Sequence, residues 1–120
     1  MNEGKNTSLI SFLKNDDRLY AFVRGEIDHH SAKLLRDGID EKIFEVRPKS
    51  LYIDLSEVEF MDSSGLGLLM GRYKLMRVYG GKTYIQNPSH RVLKIIELAQ
   101  MGRIIEVIEE EKIKPTQTEV

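Results

Sequence analysis

Apolar positions along the first third of the chain change from strand-like to helix-like spacing. Two β-prone runs, Leu9 to Leu13 and Arg18 to Arg24, flank the turn-forming triplet Asn15-Asp16-Asp17 and predict an antiparallel hairpin. Four apolar residues then recur at helical spacing: Leu35, Ile39, Ile43 and Val46. Asp28 is placed to cap this helix, and Pro48 is placed to stop it.

Short apolar runs and helical patterns continue to alternate in the rest of the chain. Leu51 to Leu55 predicts a strand, and the helical pattern behind it extends from about Ser63 to Tyr79, where Gly80-Gly81 supplies a stop. Lys82 to Gln86 predicts another strand, and Asn87-Pro88-Ser89 predicts the start of a further helix.

That further helix is predicted to bury four residues: Val92, Ile95, Ile96 and Ala99. Gly102 would end it, and Arg103 to Ile108 would form a last strand. Strands that alternate with helices after a hairpin imply an α/β fold, a mixed sheet covered by about four helices, because each parallel return needs a crossover. We expect one domain over residues 1–112 and a flexible tail over residues 113–120.

The helix predicted from Ser63 has two unlike faces. One is expected to pack on the sheet and comprises Leu66, Leu69, Met70, Tyr73 and Met76. The other collects small and apolar residues where a solvated helix would carry charges: Ser64, Gly67, Leu68, Gly71, Arg72 and Leu75. Because each internal glycine costs roughly 0.5–1 kcal/mol relative to alanine, this face is expected to lie close to another surface. That surface is either a helix of the same domain or a separate molecule.

Composition narrows the possible partners. The 18 basic and 19 acidic residues give a formal charge of −1, which argues against a general affinity for nucleic acid or anionic membrane and favours a specific protein partner. The absence of cysteine excludes disulfides and thiolate chemistry. No apolar stretch approaches the ~20 residues that span a bilayer, so the chain is expected to be soluble and cytoplasmic.

Ser63 and Ser64 are the residues most suggestive of function, because they lie at the predicted start of a helix. Unpaired N–H groups and the helix dipole stabilise negative charge at that position, and a phosphate on either serine would be tolerated by the domain. Helix capping alone would explain one serine, but not two. A partner pressed against the same surface would be repelled by the added charge.

Three segments, taken together, resemble the anti-sigma factor antagonists of the STAS domain family. They are Arg24-Gly-Glu-Ile-Asp-His-His30, Leu51-Tyr-Ile-Asp-Leu-Ser56 and Phe60-Met-Asp-Ser-Ser-Gly-Leu-Gly67. The continuation Gly71-Arg-Tyr-Lys74 is most similar to the sporulation anti-anti-sigma factors of endospore-forming bacteria. One departure from the family pattern is Glu106 to Lys112, which lacks a clear turn and cap before a final helix.

The resemblance implies a regulatory protein rather than an enzyme, with no cofactor or metal. Ser63 would be phosphorylated by an anti-sigma factor that is also a serine kinase, and a PP2C-type phosphatase would reset it. The unphosphorylated form would bind the kinase and release a sigma factor, and Asp28 would lie near the phosphorylated serine. The predicted partner-binding surface comprises Asp28, Asp62, Ser63, Ser64, Gly65, Gly67, Leu68, Gly71 and Arg72.

Three other functions are weaker. A serine hydrolase lacks its G-x-S-x-G elbow, and the spacing of His29, His30 and His90 does not favour a catalytic base. A small nucleotide-binding STAS module, or another STAS-type regulatory domain, stays open as an alternative. The glycines after the strand fit neither G-x-G-x-x-G nor the P-loop. A receiver-like phosphoaspartate at Asp54 lacks its companion acids, so Asp54 is predicted to be a structural acid at the strand end.

Overall fold

The structure is a computed structural model that describes residues 9–111. Within that range five strands and three α-helices follow one another in the order β1 (Ile10–Asn15), β2 (Arg18–Ile27), α1 (His29–Val46), β3 (Ser50–Met61), α2 (Ser63–Val78), β4 (Lys82–Gln86), α3 (His90–Leu98) and β5 (Glu106–Ile108). A 3₁₀ turn, Met101–Arg103, precedes β5. The α/β fold is confirmed, with three α-helices in the described range instead of about four. Residues 1–8 and the predicted tail, residues 113–120, lie outside it.

The five strands form one sheet in the order β1-β2-β3-β4-β5. β1 and β2 are the predicted antiparallel hairpin, whereas β2, β3, β4 and β5 are parallel neighbours. Each helix therefore connects a strand to its next neighbour in the sheet, always in the same direction along the sheet. Because such connections are right-handed, all three helices lie on one face. The buried residues of the helices and strands accordingly form a single hydrophobic core that includes Leu19, Leu51, Leu35, Leu69 and Val92.

The opposite face of the sheet carries a ladder of tyrosines. Tyr20, Tyr52 and Tyr84 are register partners on β2, β3 and β4. Their rings stack with centroids 4.8 Å apart in both steps. Since side chains alternate across a strand, these rings point away from the helix-covered side. The ladder joins the three central strands without contributing to the helical surface.

Three of the predicted elements have the wrong bounds. The last strand, β5, begins at Glu106 and not at Arg103, which belongs to the 3₁₀ turn. β3 is 12 residues long, because it extends beyond Leu55 to Met61 past register irregularities in its pairing with β2. α3 ends at Leu98. Of the four residues predicted to be buried on it, Val92 and Ile96 are buried, Ile95 is partly buried and Ala99 is exposed. The left-handed residue that follows the helix is Gln100, at φ 56°, and not Gly102.

α2 has a wider buried surface than its predicted stripe. Leu69 and Met76 are fully buried as predicted, whereas Leu66, Met70 and Tyr73 are only partly buried. Leu68 and Arg72, on the face predicted to be opposite, are also buried, at 4% and 7% exposure. The helix has two covered faces because it lies on the sheet and also packs against α1.

Candidate functional site

The starts of α1 and α2 lie side by side at the carboxyl ends of adjacent parallel strands. Ile27, the last residue of β2, is the register partner of Met61, the last residue of β3. The backbone N–H of Asp62 donates to the carbonyl of Ile27 across 3.2 Å. The caps of the two helices, Asp28 and Asp62, are therefore held at one edge of the sheet.

Asp28 caps α1 as predicted. Its Oδ1 accepts hydrogen bonds from the backbone N–H groups of His30 at 3.0 Å and Ser31 at 2.9 Å. The Ser31 hydroxyl accepts in turn from the Asp28 N–H at 2.9 Å, which completes a capping box. The hydrogen bond from the Ser31 backbone is the main cause that lowers the pKa of Asp28, so the cap carries a negative charge at neutral pH.

Asp62, and neither serine, caps α2. Its Oδ1 accepts from the Ser64 N–H at 2.8 Å, and Ser63 is the first residue of the helix. Capping therefore does not explain the two serines. The Ser63 side chain is exposed and Ser64 is half-buried, so a helix start with its positive dipole end presents a hydroxyl to solvent.

Gly65 lies inside the domain, where it permits a close approach between α2 and the end of β3. A Cβ atom at this position would lie 2.7 Å from the Cβ of Met61 and 2.8 Å from its Sδ. Real Cβ atoms do not come so close to a buried neighbour, so any larger residue would displace the start of α2. Gly65 thus shapes the surface at Ser63 from below.

The second predicted face of α2 is divided between the domain interior and solvent. Leu68 and Arg72 are covered by α1, and the Arg72 guanidinium pairs with Asp40 across 2.8 Å. By contrast, a Cβ atom added at Gly67 or Gly71 would meet nothing within 4 Å. A helix of the same domain therefore covers one side of this face, as one of the two interpretations predicts, and the other side is open.

The open side is a groove between α1 and α2. It encloses about 770 Å³ and begins beside the serines, because Ser64 lines it together with Gly67 and Gly71. Two α1 residues that the sequence analysis did not select, Lys33 and Arg36, form part of its wall. The signal was present in the sequence: His29, Lys33, Arg36 and Asp40 recur at spacings of four, three and four residues along one helical face.

The structure places eight of the nine predicted site residues in two groups along α1 and α2, and the ninth, Gly65, is buried in the first turn of α2. Asp28, Asp62, Ser63 and Ser64 belong to the two helix starts. Gly67, Leu68, Gly71 and Arg72 line the groove, with Leu68 and Arg72 largely buried beneath it.

Asp54 is a structural acid, as predicted. It is 3% exposed, and its Oδ1 accepts from the Ser56 hydroxyl at 2.7 Å and the Ser56 N–H at 3.0 Å. Its Oδ2 accepts from the Gln86 amide at 3.0 Å and, more weakly, from the Asn87 amide at 3.4 Å. The carboxylate therefore ties the first half of β3 to the carboxyl end of β4, and Asp54 does not lie at the end of its strand.

The residues considered for other activities are dispersed. His29 and His30 contact each other edge-on at the exposed start of α1, with ring centroids 5.5 Å apart, whereas His90 begins α3. Among residues 9–111, no group of three or more histidine or acidic side chains is arranged to hold a metal ion. In the same part of the chain, no helix has both the length and the apolar character needed to cross a membrane.

The fold is that of a STAS domain, and the STAS domain family profile matches residues 10–119. The chain belongs to the STAS domain family. It is 32% identical over 98 residues to the anti-sigma F factor antagonist of Paenibacillus polymyxa, covering 82% of this chain and 84% of that protein. It is 31% identical over 96 residues to the anti-sigma-B factor antagonist of Bacillus subtilis strain 168, covering 78% and 84%.

A solved structure agrees with these relatives. The anti-sigma factor antagonist SpoIIAA, in its unphosphorylated form, superimposes with a TM-score of 0.75 at 26% identity, covering 86% of this chain and 89% of that one. The resemblance seen in the three sequence segments is thereby confirmed over the whole domain.

Proposed function

We propose that this protein is an anti-sigma factor antagonist whose binding is controlled by phosphorylation of Ser63. In its unmodified form it binds an anti-sigma factor that is also a serine kinase, and so releases a sigma factor to activate transcription. A PP2C-type phosphatase restores the unmodified form, and the whole cycle takes place in the cytoplasm. The observation that supports this proposal best is an exposed serine at the first position of α2, beside an open groove.

The surroundings of Ser63 favour a phosphate that leaves the fold intact. A phosphoserine carries about −1.5 to −2 charge, which the N-terminal end of a helix stabilises. Because Asp62 already caps the helix through the Ser64 N–H, the Ser63 hydroxyl is not needed for the cap. The exposed side chain also has room for the added oxygens without displacing a buried group.

The same phosphate would be costly in a complex. A partner that covers Ser63 would have to desolvate a dianion or accommodate its repulsion. A loss of about 3–4 kcal/mol in binding free energy is enough to convert a micromolar complex into one that is not detected. Modification would therefore act at the interface and leave the architecture of the domain unchanged.

The docking surface that we propose has an outer and an inner part. Asp28, Asp62, Ser63 and Ser64, with the open glycines Gly67 and Gly71, form the part available for direct contact. Gly65, Leu68 and Arg72 support it from inside the domain, because all three are buried.

The experiment is a titration of Ser63→Ala and Ser63→Asp variants against the cognate anti-sigma kinase, with circular dichroism to confirm that both fold. We expect the alanine variant to bind and the aspartate variant to fail. Ser64→Ala is the matched control and should accept phosphate from the kinase at Ser63. Equal binding by both Ser63 variants, or phosphorylation that persists in Ser63→Ala, would disprove the proposal.

We assign the switch to sporulation, on the basis of the residues from Gly71 to Lys74 that continue the serine motif. The test is genetic: deletion of the gene should block sporulation, and the Ser63→Ala allele should restore it without need of the phosphatase. A deletion that left sporulation intact would contradict this assignment and would leave the protein's sigma factor to be identified among others, as for the anti-sigma-B factor antagonists that the chain also resembles.

A further inference from the structure

The groove between α1 and α2 is lined by basic side chains, two of which pair with carboxylates just outside the lining, Asp37 and Asp40. Its wall carries Lys33, Arg36 and Arg72 together with His29 and His30, and the described residues that line it include no carboxylate. The chain as a whole has a formal charge of −1, so this lining departs from the average surface. A surface of this kind attracts acidic partners.

The three cations differ in how available they are. Arg72 is buried and paired with Asp40, whose opposite charge offsets its own, so it is not available to a partner. Arg36 pairs with its neighbour Asp37 at 3.3 Å, but the two side chains are 49% and 62% exposed. Such surface pairs are worth little and exchange partners readily. Lys33 is exposed and makes no ion pair within residues 9–111, which leaves Lys33 and Arg36 as the contact cations.

The shape of the groove suits a helix. Gly67 and Gly71 are one helical turn apart on α2, and both lie at open positions where another backbone can approach closely. Ala32 on α1 is a third small residue on the wall, and Leu68 supplies an apolar floor. A floor of small and apolar residues with cations along one rim is the arrangement that receives an amphipathic helix.

We infer that the groove binds an acidic amphipathic helix of the anti-sigma partner. Apolar side chains of that helix contact Ala32 and the open backbone at Gly67 and Gly71, with Leu68 buried beneath them. Its carboxylates contact Lys33 and Arg36. This inference rests on the proposed function, because it names the chemistry of the partner that the function requires.

The inference also explains why one phosphate is sufficient. Ser64 lines the groove and Ser63 precedes it at the start of the same helix. A dianion at Ser63 would therefore meet the carboxylates of the arriving helix and would offset the field of Lys33 and Arg36. Both effects lower the affinity for an acidic partner helix, whereas a neutral or basic helix would lose much less affinity.

The first test reverses the charge of the groove. Lys33→Glu/Arg36→Glu should weaken binding of the unmodified protein to the anti-sigma kinase at least tenfold, measured by calorimetry. The control is Arg91→Glu/Lys94→Glu, which makes the same change at the same spacing on exposed positions of α3 and should stay within twofold. Raising the salt concentration should weaken wild-type binding more than that of the groove variant.

The second test fills the groove. Gly67→Leu places a large side chain at a position with open space, so the protein should fold while the partner is excluded. Lys74→Leu adds the same residue to an exposed position of α2 outside the groove and should leave binding unchanged. Circular dichroism and urea unfolding confirm that both variants are folded.

The outcomes of these tests distinguish a failure of this inference from a failure of the proposed function. If Ser63→Asp abolishes binding while the charge reversal and Gly67→Leu do not, the phosphorylation switch stands and the acidic helix is wrong. Groove variants that change only the oligomeric state would identify a second copy of the chain as the occupant, which also overturns the inference. If the unmodified protein binds no anti-sigma kinase, both fail.

Discussion

Asp40 on α1 and Arg72 on α2 form an ion pair, with 2.8 Å between Oδ1 and Nε, where the two helices meet beneath the groove. Burial raises the pKa of Asp40 and lowers the pKa of Arg72, so removal from water disfavours both charges even though each stabilises the other. The contact lacks hydrogen-bond alignment. The pair therefore fixes how the helices meet, but it is a weak source of stability.

Breaking and replacing this pair should have opposite consequences. Asp40→Ala leaves the Arg72 guanidinium buried without its counter-ion, and we expect a loss of roughly 3 kcal/mol in the free energy of unfolding. The double variant Asp40→Leu/Arg72→Met removes both charges and should recover most of that loss. Urea unfolding measures both values, and a double variant no more stable than the single one would contradict this account.

Two glycines of α2 should respond to alanine with opposite signs. Gly65→Ala places its Cβ against Met61 and should destabilise the protein by about 1–3 kcal/mol. Gly67→Ala has open space and gains helix propensity, so it should stabilise the protein by roughly 0.5–1 kcal/mol. Thermal and urea unfolding of the two variants supply the comparison. Equal effects would mean that the α2–β3 contact is looser than described.

The Asp54 carboxylate should be needed for stability and should have no chemical role. In Asp54→Ala the Ser56 hydroxyl and the Gln86 amide lose their acceptor while still buried or half-buried, which should cost at least about 2 kcal/mol. Asp54→Asn keeps one acceptor oxygen and should lose less. Incubation of the wild-type protein with acetyl phosphate should leave Asp54 unlabelled, and label at this residue would revive the receiver-like alternative.

The Asp28 cap gives α1 a defined response to acid. Because hydrogen bonds lower the pKa of Asp28 in the folded state, its ionised form stabilises the fold above the unfolded pKa, and this contribution is lost as pH falls through the folded pKa. We expect the midpoint of the Asp28 titration to lie below the ordinary pKa of 3.8. The measurements are the chemical shift of the Asp28 carboxyl carbon and the exchange of the amide hydrogens in the first turn of α1. Asp28→Asn keeps an acceptor and should show no such step. A wild-type midpoint at or above the ordinary value would contradict the cap geometry.

The sequence was sufficient for the order of the elements, because each element has a local signal. Asp28 and Ser89 are helix caps as their residue types indicate, and Gly80 adopts a φ of 76° behind α2, where a glycine stop was predicted. The length of β3 was underestimated, since its last residues include Glu57 and Glu59, which are exposed and do not read as part of a buried strand.

The candidate site was only half predictable. The serine motif and the Asp28 segment were enough to predict the two helix starts at the edge of the site, because helix caps are signalled by local residue types. The groove could not be predicted, because it depends on which side of α2 faces α1. A helical wheel shows that Leu68 and Arg72 share a face, but it does not show whether a helix of the same domain or a separate molecule covers them. Lys33 and Arg36 were overlooked because a polar stripe on a surface helix usually marks solvent alone.

The hydrogen bond from Asp62 to Ile27 joins the cap of α2 to the last residue of β2, immediately before both helices begin. A chemical group attached to Ser63 is therefore carried by a helix start that is anchored to the neighbouring strand. We therefore expect a modification of Ser63 to have a local effect, which only a molecule that contacts this corner of the domain will detect.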